Sequence, residues 1–235
     1  MDLRRLIRSC LPGSERYEFG FADLRGLLNG AFDAFPFAVA VCRKLDDAVI
    51  DGTSSGPTPE YLALYNSVNE ELDRAASAIA DEFTKSGIKT LALTRSKIRG
   101  LSTDEGRRSM NYSFSLKMAG TRAGLGWIGK TDLFVSSRFG PRVRLAAVLL
   151  DSVPGECAEP VRESRCGDCT ICVAACPASA ANGRSWSAGM GREEFYDAFA
   201  CRETAKRLCR ERLGREETIC GICVSVCPRG ERGRR

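Results

Sequence analysis

Apolar residues follow two different periods along the first two thirds of the chain. Continuous β-rich runs over Phe37 to Leu45, Ile88 to Thr94, Asp132 to Ser137 and Val143 to Leu150 predict strands. Between the first two of these, Tyr65, Val68, Leu72, Ala75, Ala76, Ile79 and Phe83 recur at helical spacing. Thr58 stands where an N-cap belongs and Pro59 at the first helical position, while Lys85 and Gly87 close the segment. A second helical pattern runs from about Arg192 to Leu213 and stops at Gly214. Phe195, Ala198, Phe199 and Leu213 form its apolar stripe; Cys209 falls within that stripe and Cys201 at its edge. A Pro/Gly/Glu-rich stretch, Pro154 to Pro160, divides the pattern. The expectation is an α+β chain, with an α/β region over residues 1–155 and a helical, loop-rich region over residues 156–235.

The second region is marked by cysteine. Cys166-x-x-Cys169-x-x-Cys172-x-x-x-Cys176-Pro177 is followed about fifty residues later by Cys220-x-x-Cys223-x-x-x-Cys227-Pro228. The first is the full bacterial ferredoxin run and the second is that run without its leading cysteine. Thiolates two residues apart can wrap one face of a cubane, and the cysteine before proline serves the neighbouring cluster. Cys166, Cys169, Cys172 and Cys227 would then hold one 4Fe–4S cluster. Cys176, Cys220 and Cys223 would hold three irons of a second, because Glu217 stands where the leading cysteine would be. Cys201 and Cys209 are the candidates for the missing ligand. Cys201, at the stripe's edge, is better placed to leave the core, and Cys209 reads as a small core residue. Cys10, Cys42 and Cys157 read as buried or free thiols.

Zinc modules also use paired C-x-x-C, but three cysteines at C-x-x-C-x-x-C with two Cys-Pro steps fit iron–sulfur better, and the chain has no His. A disulfide framework belongs to small secreted domains. Met1 to Gly13 carries Arg4, Arg5 and Arg8 without an apolar signal segment, so a reducing cytoplasm is expected. No run approaches a membrane span. The formal charge is +5, but two oxidised clusters at about −2 each would bring the loaded protein near about +1, so the basic balance argues little for nucleic acid. The arginine-rich tail Arg229 to Arg235 reads as a solvated terminus.

The stretch Gly124-Leu-Gly126-Trp127-Ile-Gly129-Lys130-Thr131 satisfies both G-x-G-x-x-G and G-x-x-x-x-G-K-T. Either phosphate-binding reading needs a strand before it and a helix after it. Here the preceding Phe114 to Arg122 lacks strand character and the following Asp132 to Val135 is β-like, so both readings fail on context. Glycines let a backbone approach a flat ligand, Trp127 can pack on a ring and Lys130 can pair with an anionic group. The plain alternative is a tight turn with Trp127 in the core.

Arg122-Ala123-Gly124-Leu-Gly126-Trp127-Ile-Gly129-Lys130, a strand ending in Asp151 and the two cysteine runs together resemble the epoxyqueuosine reductase family. The chain is especially similar to the family's short double 4Fe–4S members, in which Pro59-Glu60-Tyr61 and Glu194 to Arg202 are also familiar. The resemblance covers roughly residues 17 to 228 and is looser over the first hundred residues. It implies a reduced nitroreductase-like α/β fold before a ferredoxin-like two-cluster region, and Cys201 as the eighth cluster ligand. It further implies cobalamin bound base-off against a wall that includes Gly124, Gly126, Trp127, Gly129 and Lys130. Without His, no imidazole of this chain can ligate the cobalt. The full enzymes reduce an epoxide on a tRNA nucleoside, carry an acidic residue before the glycine loop and continue into helical repeats that grip tRNA. This chain has Met110 to Ser115 at that place, with Tyr112 as the one titratable substitute, and ends at Arg235.

Three function classes follow, in order of preference. The first is a reductase relaying electrons from a ferredoxin or flavodoxin, through two clusters, to cobalamin or a small substrate near Gly124 to Lys130. The second is an electron-transfer module serving a partner enzyme. The third is an RNA-interacting protein with structural clusters, and tRNA is the least favoured partner.

Overall fold

The computed structural model describes residues 2–28, 30–152 and 155–230. Its strands are β1 Tyr17–Asp23, β2 Phe37–Lys44, β3 Thr90–Leu93, β4 Gly126–Ile128, β5 Phe134–Ser136 and β6 Val143–Leu150. Its α-helices are α1 Leu3–Ser9, α2 Asp47–Asp51, α3 Pro59–Lys85, α4 Arg95–Leu101, α5 Asp104–Ser109, α6 Leu116–Arg122, α7 Ile171–Ala174, α8 Ala198–Leu213 and α9 Ile222–Ser225. The fold is α+β, as the patterns predicted. The chain forms two compact units, each assembled from separate stretches. One comprises Met1–Arg43, Val68–Leu125 and Arg144–Val161, the other Lys44–Ser67, Gly126–Val143 and Arg162–Arg235. Composition changes at residue 155 because it follows chain order. The units follow contacts, which draw the segment from Gly126 to Val143 to the cysteines.

The first unit is built on a sheet of order β1-β2-β6-β3. β1 and β2 are antiparallel from Tyr17↔Arg43 to Asp23↔Phe37, and β3 and β6 from Thr90↔Leu150 to Leu93↔Ala147. One face carries Ala22, Ala38, Ala40, Leu93, Ala147 and Leu149, which pack with Ile98 of α4, Phe114, and Ala119 and Ala123 of α6. The opposite face presents Tyr17, Arg43, Arg144 and Thr90 to α3. The Arg43 guanidinium grips both oxygens of Glu71 at 3.1 Å, the Tyr17 hydroxyl donates to the same carboxylate, and Arg144 Nε donates to Asn69 at 3.1 Å. Thr90 Oγ1 donates to the Ala80 carbonyl at 3.2 Å. With helices on both faces, β2 and β6 read as unbroken apolar runs rather than alternating ones. The α3 pattern is borne out: Thr58 Oγ1 accepts from Tyr61 N at 3.1 Å, and Val68, Leu72, Ala75, Ala76, Ile79 and Phe83 are buried. The hydrophobic pattern missed β1, α1, α4 and α5. The short helices carry their own caps, as where Asp2 accepts from Arg5 N and Thr103 from Gly106 N.

In the second unit, α8 starts six residues later than periodicity predicted. A 3-10 turn occupies Arg192–Glu194, and the Asp197 carboxylate caps the helix by accepting from the Phe199 and Ala200 amides at 2.9 Å. Phe195, expected on the helical stripe, is buried ahead of the helix, and Phe199 is 47% exposed. The stop was read correctly: Gly214 closes α8 in the left-handed region at φ 62°. Buried Arg142 ties the unit together. It donates to Asp47 at 3.1 Å, to Asp51 at 2.7 Å and to the Ser225 carbonyl at 3.4 Å, joining α2 to α9. Of the stretch Pro154 to Pro160, residue 154 lies outside the described residues, as do residues 231–235 of the basic tail. None of the described helices is long and apolar enough to cross a membrane.

Candidate metal centre

The two cysteine runs fold as copies of one another. Each places a four-residue helix at its Ile-Cys step, α7 over Ile171–Ala174 and α9 over Ile222–Ser225, and the two helices pack together. Pro177 and Pro228 follow each run's last cysteine, where proline's fixed φ turns the chain away. All twelve cysteines are unpaired thiols.

Several of the eight predicted ligands act on one another electrostatically. Cys172 feels the charges of Cys166 and Cys169, and Cys227 feels those of Cys172 and Cys166. In the other group Cys201 is influenced by Cys176, Cys220 by Cys201, Cys176 and Cys209, and Cys223 by Cys220, Cys201, Cys172 and Cys176. In these influences Cys227 goes with the first run and Cys176 with Cys201, Cys220 and Cys223. Cys209 takes a different position: it is fully buried and its thiol donates to the Ile219 carbonyl at 3.0 Å.

Burial raises the Cys172, Cys201, Cys220 and Cys223 thiols above their ordinary range and pushes Cys227 up to about 11. Hydrogen bonds from Thr131 to Cys172, Tyr196 to Cys201 and the Ile222 amide to Cys220 oppose that rise. Iron reverses the balance, because a coordinating thiol is deprotonated outright. Among the described residues no group of three His, Cys, Asp or Glu is tight enough to hold a single metal ion. A cubane takes each thiolate on its own corner iron, so its ligands stand further apart than those of one ion.

The glycine stretch forms a hairpin beside these thiols. β4 and β5 pair antiparallel as Gly126↔Ser136, Trp127↔Val135 and Ile128↔Phe134. No helix follows Lys130 and Thr131, so the helix start that a P-loop requires is missing here, as the context predicted. Gly126 is obligatory because a Cβ there would lie 2.1 Å from the Val135 carbonyl oxygen. A Cβ on Gly129 would stand 3.1 Å from Val135 Cγ2 and 3.6 Å from Cys166 Sγ. The room these glycines leave is therefore filled by β5 and a cysteine. In the first unit Gly124 turns the chain after α6 at φ 70°, against Ala158 and Glu159.

Trp127 is 4% exposed, and its indole Nε1–H donates to Cys166 Sγ at 3.4 Å. Arg165 and Arg229 stand over its ring at 6.0 and 5.7 Å. Lys130 is 5% exposed, and no hydrogen bond or ion pair of its ammonium is found among the described residues. Its position in the turn between β4 and β5 suits an anionic group, such as a cluster or a bound ligand. Tyr112, in the first unit, is 45% exposed between α5 and α6.

Sequence reasoning missed Thr131, Asp132 and Tyr196. Thr131 and Asp132 follow the glycine pattern, whose familiar forms end at the lysine and the hydroxyl residue. Tyr196 was taken for a helical residue. It is bridged to Ala181 ahead of the Asp197 cap, and this turns its hydroxyl to Cys201.

Residues 165–230 match the family described as 4Fe-4S double cluster binding domain. Over 112 residues the chain is 32% identical to an epoxyqueuosine reductase of Staphylococcus aureus, taking in 46% of this chain and 27% of that one. It is 30% identical over 115 residues to an epoxyqueuosine reductase of Leadbetterella byssophila, covering 48% of this chain and 36% of that relative. The matched stretch is thus about a third of the length of these curated relatives. Among solved structures, an epoxyqueuosine reductase with an epoxyqueuosine-modified tRNA-Tyr stem loop superposes with a TM-score of 0.59 at 19% identity, over 98% of this chain and 64% of that one. A reductive dehalogenase, described as suggesting a mechanism for B12-dependent dehalogenation, superposes with a TM-score of 0.62 at 16% identity, over 90% and 29%. At these identities the two structures are likenesses of fold.

Proposed function

We propose that this chain is an iron–sulfur reductase, in which two 4Fe–4S clusters relay electrons to a cobalamin-like cofactor or substrate beside Gly126 to Lys130. Cys166, Cys169, Cys172 and Cys227 hold one cluster; Cys176, Cys201, Cys220 and Cys223 hold the other. The observation that supports this reading most is the mutual influence of thiols from distant parts of the sequence, Cys227 with Cys166 and Cys172, and Cys176 with Cys201, Cys220 and Cys223. The double-cluster match over residues 165–230 and the curated relatives named epoxyqueuosine reductase support it.

Cobalamin, when bound, supplies a metal centre that low-potential electrons can reduce. Of this chain's residues, Lys130 would face an anionic or amide oxygen of such a group. The first unit would be the reduced nitroreductase-like part, and Tyr112 would supply a proton at its phenolic oxygen. The electron donor is a ferredoxin- or flavodoxin-like protein of the cytoplasm. A tRNA nucleoside enters as a substrate class beside small molecules, because one fold neighbour was solved with a modified tRNA stem loop.

Anaerobic reconstitution tests the reading. The protein should take up about eight irons and eight sulfides. Cys201→Ala should halve that content, whereas Cys209→Ala should leave it whole. Stoichiometric zinc, or four irons in the unsubstituted chain, would overturn the two-cluster assignment. Cobalamin should then give a base-off spectral change that Lys130→Met weakens. Its absence from the fully loaded protein would remove the cobalamin part and leave an electron-transfer module.

A further inference from the structure

The two cysteine groups lie in opposite electrostatic settings, and the β4–β5 hairpin creates the difference. Its tip turns back on itself through hydrogen bonds from Gly129 N to the Leu133 carbonyl at 2.8 Å and from Asp132 N to the Gly129 carbonyl at 3.0 Å. Asp132 adopts the left-handed conformation at φ 57°. On the Cys166 side the hairpin contributes donors: the Trp127 indole N–H to Cys166 Sγ at 3.4 Å and the Thr131 hydroxyl to Cys172. Two guanidinium groups, Arg165 and Arg229, flank the same indole, and Arg229 Nη2 is fixed by the Arg165 carbonyl at 3.0 Å. Cys169 of this group is the one exposed cysteine among the eight. On the Cys201 side the charges of Asp132, at the same tip, and of Asp197 act on Cys201, and that of Asp132 also on Tyr196. One side-chain donor, the Tyr196 hydroxyl, reaches a sulfur there. Backbone amides serve both groups, Ile222 at Cys220 and Arg229 and Gly230 at Cys227.

Reducing a cubane adds one negative charge. Donors to its sulfurs, nearby cations and solvent stabilise the reduced form, while nearby carboxylates oppose it. More side-chain donors, both guanidinium groups and the exposed cysteine belong to the Cys166 group, while the Asp132 and Asp197 carboxylates act on the Cys201 group. We propose that the hairpin holds the two clusters at different reduction potentials, higher at Cys166/Cys169/Cys172/Cys227 and lower at Cys176/Cys201/Cys220/Cys223. Electron flow then runs downhill toward the Trp127 end of the hairpin, and Trp127, Thr131 and Asp132 are positioning residues that set the gradient. This rests on the two-cluster reading above.

Potentiometric titration of the anaerobically loaded protein, followed by electron paramagnetic resonance, tests it. Iron analysis of the same sample comes first, since fewer than eight irons contradicts the cluster reading itself and leaves no gradient to hold. With full iron, two midpoints should separate, and Cys166→Ser and Cys223→Ser identify which signal belongs to which group. Trp127→Phe should lower the Cys166-group midpoint alone, shifting its reduction equilibrium about threefold to tenfold, where tenfold is about 59 mV for one electron. Thr131→Val, nearly isosteric, should act in the same direction and covers the case in which Trp127→Phe fails to fold. Asp132→Asn, which tolerates the left-handed backbone, should raise the other midpoint alone. Coincident midpoints, the reverse order, or substitutions that move the wrong cluster would overturn the gradient while leaving the two-cluster reading intact.

Discussion

The two units are of similar length, yet they bury different things. In the sheet unit the largest side chains with almost no exposure are all apolar, among them Phe83, Leu72, Ile79, Leu149 and Leu150. In the cysteine unit the largest is an arginine, Arg142 at 1% exposed, beside Phe195 and Ile50. The sheet unit is stabilised by apolar area removed from water. The cysteine unit adds to its apolar core the ion pairs of Arg142, tight backbone approaches and the metal its cysteines would bind. Metal-binding free energy is folding free energy in a region of this kind. The difference therefore predicts two responses to one perturbation.

The largest effect should follow iron removal. Stripping the clusters with an anaerobic chelator should abolish amide exchange protection over residues 162–230 while β1, β2 and β6 stay protected. Equal loss in both units would break the contrast. Ile79→Ala should then cost the sheet unit about 3 kcal/mol through the cavity it leaves, read as a lower denaturation midpoint with iron content unchanged. Arg142→Met should cost the cysteine unit about 2 kcal/mol. That is below the usual penalty for breaking a buried pair, because Asp51 is half-exposed and water can solvate it. The measurement is urea sensitivity of cluster absorbance, and a variant as resistant as the parent would refute the role given to Arg142.

The smallest effect concerns Glu71. Burial alone would raise its carboxyl, but hydrogen bonds from Arg43 and Tyr17 outweigh burial and hold it below the ordinary range. A carboxylate lowered on folding contributes stability above its unfolded value, about 4.3, and loses it as pH falls through the folded value. Glu71→Gln should cost about 1 kcal/mol at neutral pH and flatten the acid limb of the stability profile. A parent-like acid limb in the variant would assign that limb to other carboxylates.

The same contrast explains what could be read from the residues alone. The sheet unit was legible where apolar periodicity was strong, as in α3, β2, β3 and β6. β1 went unread although Tyr17, Phe19 and Phe21 alternate with Glu18 and Gly20, and its pairing with β2 is regular over seven residues. In the cysteine unit, spacing and Cys-Pro steps carried the double-cluster reading that residues 165–230 match, since ligand spacing is local. The start of α8 was not legible: Phe195 and Ala198 imitate a helical stripe that the Asp197 cap cuts short. The glycine stretch was legible only in part. Its failure as a phosphate loop followed from the flanking residues. Its occupation by Val135 and Cys166 did not, because close backbone approach to a ligand and to a neighbouring strand ask for the same residue. Arg142, a buried charge held by distant carboxylates, leaves no periodic trace at all.

The crossed membership of the two groups is the central claim, and Cys227 tests it most directly, because it sits in the second run but is assigned to the first cluster. The measurement is the electron paramagnetic resonance spectrum of anaerobically reduced Cys227→Ser, set beside those of Cys166→Ser and Cys223→Ser. The account predicts that Cys227→Ser loses the same signal as Cys166→Ser and keeps the one lost in Cys223→Ser. Loss of the Cys223 signal instead would mean that each run holds its own metal, and would contradict the crossed assignment.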